Sequence, residues 1–237
     1  MKTYGTRMVF AIFALCVGLL IPGVATAASS RNVLQERLDS ASTVLSEILN
    51  TPDNTIPLNI LNQATCVAVI PGLKKGAFLV GAEYGRGVVS CRTGHGWSAP
   101  AFITIAGGSF GFQIGGQSTD LVLVAVNDHG FQDLLKSKFK IGGDAAASAG
   151  PVGRNSQAAT DWKMSAELLT YSRSKGLFAG IDLNGAAVSQ STDDTEAYYG
   201  QAHSFQSILK GTVAVPEGAK AFVRTVAKAF VAAKAAQ

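Results

Sequence analysis

ATCVAVIPGLKKGAFLVGAEYGRGVVSCRTGHGWSAPAFITIAGGSFGFQIGGQSTDLVLVAVN, the run from Ala64 to Asn127, decides the fold. Short apolar, β-branched and aromatic stretches alternate in it with Gly, Pro and Asn punctuation, the pattern of a compact antiparallel sheet. It predicts strands over 64–70, 77–84, 88–92, 101–106, 109–114 and 121–126. Gly81, Gly85, Gly87, Gly107, Gly108, Gly111, Gly115 and Gly116 lie within or beside these runs. Glycine weakens a strand unless a bulge, a bend or a close backbone approach requires it, so they mark such places.

Upstream, Ser29 or Ser30 can cap a helix running to about Asn50, in which Leu34, Leu38, Ala41, Leu45 and Ile48 recur at three- and four-residue steps. Thr51-Pro52 ends it. Its charges, Arg31 and Arg37 against Glu36, Asp39 and Glu47, sum to −1, the wrong sign for an anionic bilayer. The apolar stripe is therefore expected to pack on the sheet. A short helix over 56–63 leads into the first strand, and Asn127 or Asp128 caps another to Leu135. Lys136, Lys138 and Lys140 then alternate with Ser137, Phe139 and Ile141, so an extended backbone would put three ammonium groups on one face.

Small residues dominate 142–161, around Gly150-Pro151 and Arg154, and suit a surface loop or a thin patch of sheet. A strand is expected over 162–169 with 177–183 as its hairpin partner, and Asp193 with Glu196 as a capping pair for a helix through Tyr199. The last element, 216–235, reads as a basic amphipathic helix, with Phe222, Val223, Val226 and Phe230 beside Lys220, Arg224 and Lys228. The segments KGAFLVGAEYGRGVVS from Lys75 and KGLFAGIDLNGAAVS from Lys175 echo one another, by duplication or by chance.

The 237 residues suit one domain with a hydrophobic core. Residues 1–27 read as a signal peptide: Lys2 and Arg7, an apolar stretch from Met8 to Ile21, and Ala25-Thr26-Ala27 as the cleavage site. Cleavage near Ala27 would leave a 28–237 domain, bounded by amphipathic helices at 28–50 and 216–235, in the periplasm or secreted. Losing Lys2 and Arg7 lowers the net charge from +4 to +2, a poor footprint for nucleic acid.

The motifs VAVIPGLKKGAF (67–78), GRGVVSCR (85–92), WSAP (97–100), GGSFGFQIGGQSTDLVLV (107–124), GPVGR (150–154), YSRSKGLFAGIDL (171–183) and YYG (198–200) resemble those of the SYLF domain family. The resemblance covers roughly Asn32 to Lys210 and implies an α+β fold, a twisted antiparallel sheet, partly closed barrel or sandwich, flanked by terminal helices. It also implies phospholipid binding; eukaryotic SYLF members bind actin as well, and bacterial ones are exported. Export would keep this chain from actin. The resemblance places Arg154 among small residues where a guanidinium could grip a phosphate bidentately.

Catalytic patterns fail on context. Gly107 to Gly111 spells a nucleophile elbow at Ser109, but Phe110, Phe112 and Ile114 continue as a strand where that motif needs a helix. Ser172 and Ser207 each begin a Ser-x-x-Lys without its companion motifs. Asp193, Asp194 and Glu196 are too few for an oxygen cage, so no metal or cofactor is expected. Cys66 and Cys91 can bridge if their strands are neighbours or if they sit at a twisted corner; on the first and third strands of a plain meander they stand beyond disulfide reach and would pack as buried thiols. What remains is a non-enzymatic domain engaging anionic phospholipid headgroups or a membrane surface. Its candidate residues are Lys74 and Lys75 in a turn after Pro71-Gly72, Lys136, Lys138, Lys140 and Arg154, with Phe222, Lys220, Arg224 and Lys228 as a membrane-contact helix. An envelope structural or adhesive protein that binds another protein through its sheet is the alternative, and a serine hydrolase a third.

Overall fold

The computed structural model describes residues 29–50, 56–78, 80–110, 115–150, 166–174, 177–180, 183 and 185–235. The expected signal peptide and Arg154 lie outside them. Helices α1 (Arg31–Asn50) and α2 (Leu58–Gln63) precede strands β1 (Cys66–Phe78), β2 (Val80–Thr93), β3 (Gly96–Trp97), β4 (Ala101–Phe110) and β5 (Gly115–Ala125). Then follow α3 (Asp128–Leu135), β6 (Lys138–Lys140), β7 (Ala147–Ala149), β8 (Leu168–Ser174), β9 (Leu177–Gly180) and β10 (Ala187–Gln190). Helices α4 (Thr192–Tyr199), α5 (Phe205–Leu209) and α6 (Lys220–Ala235) close the chain. The strands form one curled sheet in the order β6-β10-β4-β2-β1-β5-β8-β7, with β3 and β9 attached to β2 and β8. Every pairing is antiparallel except β7 with β8. The fold class is α+β, as the pattern and the resemblance implied.

The strands are longer than their punctuation. The expected strands 64–70 and 77–84 overlap two long strands, and 88–92 is the far half of β2, because Pro71-Gly72 is a bulge inside β1 and not a turn. Val69 pairs with Val88 and Lys74 with Tyr84, so β1 spends one residue more than β2 between the two pairs. Pro71 lacks a donor and suits a bulge, and Gly72 adopts φ +62. The Gly72 N–H is taken up by Asp120 Oδ1 at 2.9 Å. Because side chains alternate with period two, the extra residue swaps the faces of everything after it.

Opposite the bulge the two chains approach closely at Gly87. A Cβ there would lie 2.3 Å from the Val69 carbonyl oxygen and 2.7 Å from Ile70 Cγ1. The long hairpin also resolves the cysteines. Cys66 and Cys91 sit directly opposite each other and are joined by a disulfide. The Arg92 N–H bond to the Thr65 carbonyl marks theirs as a pair without hydrogen bonds between its own members, where side chains stand closest.

Both faces of the central strands are covered, which is why CVAVI and LVLVA are apolar at every position. Val67, Val69, Val88, Phe102, Val122 and Val124 pack under α1, α2, α4 and α6. Ala68, Ile70, Val89, Ile103, Leu121 and Leu123 pack with α3 and α5 on the other side. Leu34, Leu38, Ala41 and Leu45 of the α1 stripe lie in the first of these cores, as its charge balance argued. Asn127 caps α3 by accepting the Gly130 N–H at 2.9 Å, as expected. The capping pair Asp193–Glu196 does not form: Ser191 stands at the N-cap of α4, and the first-turn acid Asp194 turns inward to Arg37. Of the two Lys-Gly echoes, Lys75-Gly76 lies inside β1, and Lys175-Gly176 lies outside the described residues.

Candidate functional site

Register across five strands assembles a surface that no single segment reveals. Lys140 on β6 stands opposite Ala187 on β10, Ala187 opposite Ala106 on β4, Ala106 opposite Tyr84 on β2, and Tyr84 opposite Lys74 on β1. One row away run Lys138, Ser189, Thr104 and Arg86. Both rows share the face that carries Val88 and Phe102, but lie beyond the helices that cover those residues. Lys74, Ala82, Tyr84, Ala106, Gly108, Lys138 and Lys140 are exposed there. Small side chains thus floor an open sheet face with cations at its edge and centre.

The bulge decides which lysine belongs. Lys74 falls on this face, and Lys75 on the opposite one, where its ammonium pairs with Glu83 at 3.0 Å. Among the described residues, the ammonium groups of Lys74, Lys138 and Lys140 form no salt bridge, although the Lys140 backbone N–H donates to Asp144 Oδ2 at 2.8 Å. The expected row of three lysines reduces to two: Lys138 and Lys140 flank buried Phe139 on edge strand β6, whereas Lys136 caps α3 and its ammonium meets Asp133 Oδ1 at 2.5 Å. That hydrogen bond holds the Lys136 ammonium above its ordinary pKa.

Two contributors escaped the sequence reading, Tyr84 and Arg86. Arg86 Nε donates to the Tyr84 hydroxyl at 2.8 Å and Nη1 to Ser29 Oγ at 2.8 Å. The Tyr84 bond keeps the guanidinium above its ordinary value despite partial burial. Tyr84 is 46% exposed, and the only other large apolar side chain so open among the described residues is Val33, at the start of α1. The alternation that defines β2 carried a signal, an aromatic and a cation two apart, but not its cross-strand neighbours.

Behind the face lies an anchor. Arg37 Nη1 donates to Asp194 Oδ2 at 2.8 Å, with both side chains buried, and the Ser29 N–H donates to Asp194 Oδ1 at 2.9 Å. Burial pushes the Asp194 carboxyl up, but the bonds from Arg37 and Ser29 outweigh it and hold the group below its ordinary value. On the other flank Asp120 joins Arg173 at 2.6 Å, and Arg173 also reaches Glu47 at the end of α1.

The expected membrane-contact helix is placed differently. Phe222 is 1% exposed and packs in the core with Val226 and Phe230, so the apolar stripe of α6 faces inward. Lys220, Arg224 and Lys228 line its outer side, and Lys220 pairs with Glu217 at 2.5 Å. Ser109 lies in β4, where it pairs with Gly81 of β2, and not at a turn between a strand and a helix. Among the described residues no three His, Cys, Asp or Glu side chains gather where a metal could bind, and no helix is long and apolar enough to cross a membrane.

A curled α+β sheet with an open cationic face defines a binding domain. Residues 106–229 match the Ysc84 family, described as Las17-binding protein actin regulator. The chain belongs to this family, whose domain is the SYLF domain of the motifs above. It is 37% identical over 173 residues to the SH3 domain-containing YSC84-like protein 1 of Rattus norvegicus, covering 72% of this chain and 51% of that one. Protein YSC84 of Saccharomyces cerevisiae is 34% identical over 176 residues, 73% of this chain and 37% of the relative. LAS seventeen-binding protein 3 of the same yeast is 36% identical over 172 residues, 69% and 36% respectively. The chain therefore spans about half the length of the rat relative and less of the yeast ones. Family and relatives are named as binding and regulatory proteins. They also correct the expected location: the relatives are eukaryotic and the family is described by actin regulation, which points away from a periplasmic or secreted protein. The ground for setting actin aside falls with it.

Proposed function

We propose that this domain is a non-enzymatic module that binds anionic phospholipid through the open sheet face. The observation that carries the reading is the shared face of Lys74, Arg86, Lys138 and Lys140 around exposed Tyr84, over a floor of Ala and Gly. Ammonium and guanidinium groups supply charge-assisted bonds to phosphate oxygens. A tyrosine with an apolar ring and a polar tip suits the bilayer interface. Arg154 is the further arginine that the family resemblance adds.

Each cation near an anionic surface contributes about 1 kcal/mol. Replacing Lys74, Lys138 and Lys140 by alanine should therefore weaken vesicle binding by about 3 kcal/mol, roughly 150-fold. Co-sedimentation with vesicles containing phosphatidylserine, at low and at high salt, tests this. Screening shortens from about 10 Å at 0.1 M to about 3 Å at 1 M salt, so wild-type binding should fall steeply. Binding indifferent to salt, or unchanged in the triple variant, would remove headgroup contact from this face.

A second reading rests on the relatives' names, binding to a Las17-type protein in actin regulation. Pelleting with filamentous actin in lipid-free buffer, and capture by a purified Las17-type protein, separate it from the first.

A further inference from the structure

Building on the lipid-binding reading, we infer that the open face engages at least two headgroups of a bilayer at once, and so reads a membrane surface and not a single lipid. The spacing of the cations is the argument for it. Lys74 and Lys140 stand at opposite ends of a row four strand steps long, about 19 Å along the sheet. Two lysine stems, each reaching roughly 6 Å from its backbone, leave several ångströms between their ammonium groups even when stretched toward each other. One phosphate, contacted on two of its oxygens at about 2.8 Å each, spans about 8 Å at most, so it could join Lys74 to Lys140 only with both stems pressed flat along the sheet and aimed straight at each other; stems that rise from the sheet toward a ligand stay farther apart than that.

The cations fall instead into two stations. Lys138 and Lys140 are two residues apart on β6, about 7 Å, close enough to share one phosphate at the sheet edge. Lys74 and Arg86 flank Tyr84 near the centre: Lys74 is its cross-strand partner, and Arg86 Nε is 2.8 Å from its hydroxyl. Between the stations lie Ala106 and Ala187, which raise nothing above the backbone that would keep a flat array of headgroups away. Linked weak contacts of this kind make affinity depend on how densely the ligands are presented.

The test uses the full chain and vesicles of phosphatidylcholine carrying increasing mole fractions of phosphatidylserine, with soluble glycerophosphoserine as competitor. Two stations predict binding that rises with about the second power of the anionic fraction. Glycerophosphoserine matched to the total lipid serine should release almost none of the protein. Replacing Lys138 and Lys140 together should flatten the dependence toward the first power while leaving residual binding, and Lys74→Ala should act likewise from the other station. A first-power dependence in the wild type, or stoichiometric release by the soluble headgroup, would overturn the two-station inference and leave lipid binding standing. Failure to bind any vesicle would remove both.

Discussion

Removing the Asp194 carboxylate should destabilise the domain more than any surface change near the proposed site. In Asp194→Ala the buried guanidinium of Arg37 would keep one oxygen neighbour, Ser29 Oγ at 3.5 Å, and its place 5.5 Å from the centre of the Phe102 ring. A buried charge stripped of its partner costs about 3–5 kcal/mol. That is a large share of the roughly 5–15 kcal/mol that holds a domain folded, and should lower Tm by about 6–20 °C. The double variant Arg37→Met, Asp194→Leu removes both charges and should recover most of the loss, since an apolar pair of similar volume escapes the desolvation penalty. Urea unfolding followed by circular dichroism gives the four corners of the cycle. The carboxyl pKa is lowered in the folded state, so on acidification the unfolded chain takes up the proton first. The pair's contribution is complete above the ordinary value of 3.8 and is lost as pH falls through the lower folded one. Wild type should therefore lose stability in that range more steeply than the double variant. An Asp194→Ala protein within 1 kcal/mol of wild type, or a double variant as unstable as the single, would refute the reasoning.

Two further outcomes concern the long hairpin. Closing a loop with a sequence separation of 25 gives about 3.5 kcal/mol in the chain-entropy account, so replacing Cys66 and Cys91 by alanine should shift the urea midpoint downward by a corresponding amount, and a null shift would deny the bridge a structural role. Gly87→Ala should cost about 1–3 kcal/mol because its Cβ meets the Val69 backbone, which cannot step aside, whereas Gly76→Ala, with nothing within 4 Å, should be close to neutral; equal midpoints for the two would contradict the close approach.

Much of this fold is legible in the chain because its strands are buried on both faces or alternate cleanly. The α1 stripe, the Asn127 cap and the α4 helix also follow from local pattern. What escapes the pattern is parity. Pro71-Gly72 reads as a turn because those residues favour turns, and only the pairing of Lys74 with both Tyr84 and Ser118 reveals a one-residue bulge. That residue determines that Lys74 and not Lys75 joins the open face. Tyr84 and Arg86 were unremarkable in sequence for a related reason: their significance lies in Ala106, Thr104 and Lys74, which belong to other strands. Lys136 illustrates the converse, since period two placed it with Lys138 and Lys140 until the end of α3 gave it Asp133 as a partner.

The competition between the sheet face and α6 for a membrane can be decided by magnitude. Outward cations make α6 attractive, and Lys220, Arg224 and Lys228 together would contribute about 3 kcal/mol at an anionic surface, less whatever Lys220 gives up by leaving Glu217. To insert its apolar stripe, however, α6 must lift Phe222, Val226 and Phe230 away from α1, α2 and Trp97, whose ring centre lies 4.5 Å from that of Phe230. The bilayer would re-bury the stripe but not the surface it uncovers, and exposing the equivalent of three large apolar side chains costs about 5–9 kcal/mol. The sheet face needs no such rearrangement, because its lysines and Tyr84 are already exposed. Replacing Lys220, Arg224 and Lys228 by alanine should accordingly change vesicle binding by no more than the loss of diffuse surface charge, a few-fold, against roughly 150-fold for the sheet lysines. Equal losses from the two triple variants would show that both surfaces meet the bilayer, and a larger loss from the helix would move the site to α6.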